Sequence, residues 1–71
     1  MKYAHFDYAG RPARITLDDH DIPESCEVYD PQQRALVRDD TLTLDVRDAS
    51  DSRLISPEDF AALLAKVQRS A

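Results

Sequence analysis

Residues 26–46 read Cys26-Glu27-Val28-Tyr29-Asp30-Pro31-Gln32-Gln33-Arg34-Ala35-Leu36-Val37-Arg38-Asp39-Asp40-Thr41-Leu42-Thr43-Leu44-Asp45-Val46. Apolar and polar side chains alternate here on either side of two breaks. Pro31 takes a favoured turn position in the first break, and Asp39-Asp40 leaves two residues between runs in the second, the length of a tight hairpin connection. The pattern predicts three antiparallel strands, at residues 26–29, 34–38 and 41–47. Pairing Tyr29 with Arg34 and Arg38 with Thr41 sets Val28 opposite Ala35, Cys26 and Leu42 opposite Val37, and Leu44 opposite Ala35. Cys26, Val28, Ala35, Val37, Leu42, Leu44 and Val46 then share a dry face. Glu27, Tyr29, Arg34, Leu36, Arg38, Thr43 and Asp45 share a wet one.

Working outward, residues 3–8 and 13–17 form an earlier hairpin through Ala9-Gly10-Arg11-Pro12, where Gly10 can take a positive φ. Setting Tyr8 opposite Ala13 places Phe6 against Ile15 and Ala4 against Leu17 on one face, with Asp7 against Arg14 and His5 against Thr16 on the other. Downstream, Arg53-Leu54-Ile55 is a short further strand. Ser56-Pro57-Glu58-Asp59 then supplies an N-cap hydroxyl, a proline at the first helical position and two carboxylates at the positive end of the dipole. Phe60, Leu63, Leu64 and Val67 follow at helical spacing, so a helix is expected over residues 57–69, its stripe against the dry face.

The expected architecture is α+β: an antiparallel sheet of about five strands built from hairpins, open or closed into a small barrel, with one C-terminal helix packed on it. The 71 residues form a single domain, β-rich over 3–55 and helical over 57–69. A domain this small buries only about 60% of the surface its unfolded chain exposes, so its stability is marginal.

Composition excludes several classes. The single glycine, Gly10, rules out glycine-rich phosphate loops, and the single cysteine, Cys26, rules out an intrachain disulfide and a multi-thiolate metal site. No Ser/His/Asp set, glutamate pair or His pair at i and i+4 is present, so no catalytic residues, cofactor site or metal site is assigned and an enzyme is not expected. The start of the chain carries no apolar run fit for a signal peptide or a membrane span, and a lone thiol suits a reducing compartment, so a cytoplasmic location is expected. Abundant Ala, Arg and Asp with only two lysines points to a bacterial or phage origin.

Nine basic and fourteen acidic residues give a net charge of −5, which disfavours direct contact with nucleic acid or an anionic membrane. Six acids and no base fall between Asp18 and Asp30, so one segment accounts for the imbalance. Within it, Asp18-Asp19-His20-Asp21 crowds carboxylates beside an imidazole, but the glycine of a calcium loop is missing and a solvated connection is the reading adopted. Cys26 faces inward, where it acts as a small apolar residue. On the wet face Tyr3, Tyr29 and Leu36 are the candidate contacts to a partner, joined by the acids Asp18, Asp19, Asp21 and Glu24. The leading function is a non-enzymatic interaction module, an accessory subunit or regulator that binds another protein or its own copy through a sheet face or edge. The alternative is an acidic mimic of nucleic acid that occupies a basic protein surface. A small metal- or thiol-dependent enzyme working through His20 and Cys26 stands third.

Overall fold

A computed structural model describes residues 2–69. Its strands are β1 (Lys2–Tyr8), β2 (Arg11–Leu17), β3 (Pro23–Asp30), β4 (Ala35–Arg38) and β5 (Ser52–Ile55), with helices α1 (Thr43–Asp48) and α2 (Pro57–Arg69). All neighbours are antiparallel, in the order β4-β3-β2-β1-β5, and the sheet is open, not closed into a barrel. No helix among the described residues is long and apolar enough to cross a membrane.

The first hairpin is tighter than the sequence suggests. Ala9 and Gly10 both take positive φ, at 52° and 86°, and form a two-residue turn, which the twist of the flanking strands favours. The Asp7 carboxylate accepts the Gly10 N–H at 2.8 Å and fixes the turn. Tyr8 therefore pairs with Arg11, Phe6 with Ala13 and Ala4 with Ile15, a slip of two positions from the expected register. The second hairpin slips by two the other way, because Arg34 turns at φ 53° and Val28 pairs with Val37. An even slip leaves every side chain on its own face.

The expected strand over residues 41–47 is instead helical. Asp39 accepts the Thr41 N–H as the N-cap of a 3-10 turn at Asp40–Leu42, which runs directly into α1. Leu42, Leu44 and Val46 fit a strand period of two, but Leu42 and Val46 also stand four apart, one helical turn. Capping by Asp39 favours the helical path. Leu42 and Val46 pack on the core while Leu44 is left 66% exposed. The Asp39-Asp40 pair is thus the cap and first residue of a 3-10 turn and not a hairpin turn. It also satisfies the backbone of Cys26 on β3: the Asp39 N–H donates to the Cys26 carbonyl at 2.8 Å, and the Asp40 carboxylate accepts the Cys26 N–H at 3.1 Å.

A second correction concerns α2. Ala13, Ile15, Cys26, Val28 and Val46 form the main core, flanked by Ala4, Phe6, Tyr8, Leu17 and Leu42. This face is covered by the 3-10 turn and α1. Helix α2 crosses the other face, over β1 and β2, with the Phe60 ring 4.8 Å from that of His5. The far end of α2 reaches the β3–β4 turn, where the Gln68 side chain donates to the Arg34 carbonyl. The face expected to be wet is therefore a second, smaller core that buries Pro12, Thr16, Tyr29 and Phe60.

Helix and strand geometries for residues 41–47 make different demands on Leu44. Val46→Ala is expected to cost about 2 kcal/mol, since it empties a fully buried site, whereas Leu44→Asp should stay within about 0.5 kcal/mol of the parent. Urea denaturation of both variants checks this; equal losses would restore the strand.

Candidate functional site

The seven residues singled out as partner contacts do not converge. Tyr3 is 49% exposed near the start of β1, where the Arg14 guanidinium lies 5.0 Å from its ring centre. Leu36 is half-buried on β4, three strands away and near the opposite end of the sheet. Tyr29 points to the face assigned to it, but that face carries α2 and the residue is only 3% exposed. Its hydroxyl finds no hydrogen-bond partner among the described residues.

The acids of the β2–β3 connection build a turn. One carboxylate oxygen of Asp18 accepts the N–H groups of His20 and Ile22 at 2.8 and 2.9 Å, and the Asp18 N–H donates to the Ile22 carbonyl. Asp21 takes a φ of 61° and pairs with Lys2 at 3.0 Å. Asp19 and Glu24 are exposed beside them. Elsewhere Asp30 accepts the Gln32 N–H, Glu27 holds Arg14 at 2.7 Å and Asp7 holds Arg53 at 3.0 Å. Among the described residues no three His, Cys, Asp or Glu side chains gather as metal ligands.

Cys26 is fully buried, and burial, opposed by a hydrogen bond with the Thr43 side chain, pushes its thiol above the ordinary range. A thiol held protonated and out of solvent is a poor nucleophile. The shallow cleft between Val28, Pro31, Val37, Asp39, Leu42 and Arg11 has a volume of about 180 Å³. That falls below the several hundred cubic ångströms of typical small-molecule pockets. The Asp40 carboxyl is held below the usual carboxylate range by the Arg38 guanidinium and the Cys26 N–H.

Sequence reasoning missed the outer edge of β5. In the antiparallel ladder with β1, His5 faces Ile55, Phe6 faces Leu54 and Asp7 faces Arg53; the Ala9 N–H donating to Asp51 at 3.0 Å continues that register. Hydrogen-bonded pairs alternate along such a ladder, so Asp51, Arg53 and Ile55 turn their backbone groups to β1. Leu54 must turn its N–H and carbonyl outward, and the residue is 71% exposed, the most of any large apolar residue among those described. The available signal was an apolar residue at the middle of a four-residue strand that runs directly into a helix. The chain matches no family model, no curated protein and no solved structure.

His5 sits between α2 and the sheet. Desolvation there, reinforced by the Arg14 charge, lowers its pKa below 6.5, so the fold favours the neutral ring. The unfolded chain takes up that proton near pH 6.5 and the folded chain only at lower pH; the associated stability is complete above 6.5 and is lost as the pH falls through the lowered folded value. The melting temperature should drop over this interval, and in His5→Gln the drop should be reduced. A second prediction follows from the orphaned hydroxyl. Tyr29→Phe should leave stability unchanged or raise it by up to about 1 kcal/mol, because a buried hydroxyl without a partner costs free energy; a clear loss in urea denaturation would show that the hydroxyl is satisfied.

Proposed function

We propose that this protein is a non-enzymatic interaction module that engages a protein partner along the outer edge of β5. One observation carries the reading. Both faces of the sheet are covered by the chain's own helical segments, yet Leu54 on an edge strand is 71% exposed with its backbone donor and acceptor turned outward. Unpaired strand edges are templates for another strand, and proteins ordinarily guard them with charge, proline or a covering loop. The opposite edge carries such a guard. Arg38 on β4 is locked to Asp40 at 2.9 Å, and the chain beyond β4 takes up both backbone groups of Cys26 on β3. On β5 the one charged residue, Arg53, is turned across the sheet toward Asp7.

Binding by strand addition rests on main-chain hydrogen bonds and apolar contact, so it should persist when surface charges are screened. Capture of a partner on the immobilised chain should survive about 0.5 M salt, where the Debye length is only a few ångströms. It should be lost in Leu54→Lys, a variant whose exposed position spares the core. Capture that is abolished by salt and unaffected by Leu54→Lys would overturn the edge reading in favour of acidic mimicry.

A further inference from the structure

We infer that the occupant of the β5 edge is a second copy of this chain, joined strand to strand about a two-fold axis at Leu54; the inference rests on β5 being the interaction surface. What distinguishes a second copy from any other strand is the pattern of backbone groups that the edge offers. By the alternation set out above, Ser52, Leu54 and the following Ser56 are the positions whose backbone faces outward. Two of their groups are already used within the chain: the Ser52 N–H donates to the Ala49 carbonyl at 3.1 Å, and the Ser56 carbonyl accepts the Phe60 N–H at 2.9 Å. The groups left to offer are the Leu54 N–H and carbonyl, the Ser52 carbonyl and the Ser56 N–H. In an antiparallel pairing centred on Leu54, the two Leu54 residues exchange both bonds. Each Ser56 N–H then meets the Ser52 carbonyl of the other copy. The pair of groups that would have met in the remaining positions is the pair already used internally. The edge is therefore complementary to itself, as an isologous interface requires.

The side chains agree. On the face with the main core, Phe6 lies beside Leu54 in register, so the seam would carry the row Phe6, Leu54, Leu54 and Phe6 across two chains. This covers the apolar surface that Leu54 now exposes. On the other face Arg53 would stand opposite Ile55 of the other copy, giving the row Asp7, Arg53, Ile55 and His5. No like charges meet directly, and Arg53 remains bound to its own Asp7. The product is a continuous sheet of twice five strands.

Sedimentation of the full chain from about 10 μM to about 1 mM, where self-association appears by mass action, tests the inference. The expected result is a rise from 8.0 kDa toward twice that mass. Leu54→Pro removes the outward N–H, which the ladder to β1 does not use, together with the leucine side chain of the seam, and should keep the single mass at every concentration. In parallel, amide exchange on the unmodified chain should show protection of the Leu54 and Ser56 N–H groups rising with concentration. A chain that stays at the single mass throughout overturns the second copy as occupant. If partner capture is then still lost in Leu54→Lys, the edge reading itself stands with a different occupant. Doubling that Leu54→Pro leaves intact, or that leaves Leu54 and Ser56 unprotected, places the contact elsewhere and likewise overturns the inference.

Discussion

Burial of β2 on both sides is the constraint around which the molecule is arranged. Ala13 and Ile15 point into one core, while Pro12 and Thr16 point into the other, and all four are buried. A strand with two dry faces needs two covers. One is the segment from Asp39 to Asp48, which inserts Leu42 and Val46; the other is α2, which inserts Phe60. Each cover is thin. Only Val46 and Phe60 of the two helices are buried, while Leu63, Leu64 and Val67 remain half-exposed. A 71-residue chain divides its apolar side chains between two small cores, so each buried group carries a large share of the stability.

The facing of the strands was legible in the sequence because it depends only on parity. Both hairpins slipped by two positions from their expected registers, and Phe6, Ile15, Cys26 and Val28 still arrived on the same face. The segment around Leu44 was not legible by the same route, since Leu42 and Val46 satisfy either period, Leu44 only that of a strand, and the deciding signal lay in the N-cap at Asp39. The helix at Pro57–Arg69 was read correctly from its cap and stripe, but its destination was not. Pro12, Thr16 and Tyr29 look like ordinary residues of a wet face until Phe60 is laid over His5. The candidate site was less legible than the fold. Tyr29 was assigned to its face correctly and is nonetheless covered, and Leu54 drew no notice because pairing partners, not residue type, decide whether an edge is open.

The negative charge has a structural explanation in part. Asp7, Asp18, Asp30, Asp39 and Asp40 each accept a backbone N–H at a turn, cap or strand end. Short carboxylate side chains suit this work, because they reach the main chain two or three residues on and compete with regular secondary structure. In a chain with a single glycine, the turns at Asp21 and Arg34 take positive φ without one and Ala9 does so beside Gly10, and such side-chain bonds hold the neighbouring loops. The acidic stretch between Asp18 and Asp30 is accordingly half turn and half strand.

The central claim is that the sheet is covered on both faces, with α2 over His5 and α1 over Ile15. Nuclear Overhauser contacts in the full chain test it most directly, since they decay within about 5 Å and depend on no variant. Cross-peaks are expected between the Phe60 and His5 rings, whose centres lie 4.8 Å apart, and between the methyl groups of Val46 and the buried side chains of the main core. Cross-peaks from Phe60 to Ile15 or Val28, with none to His5, would put both apolar covers on one face and contradict it.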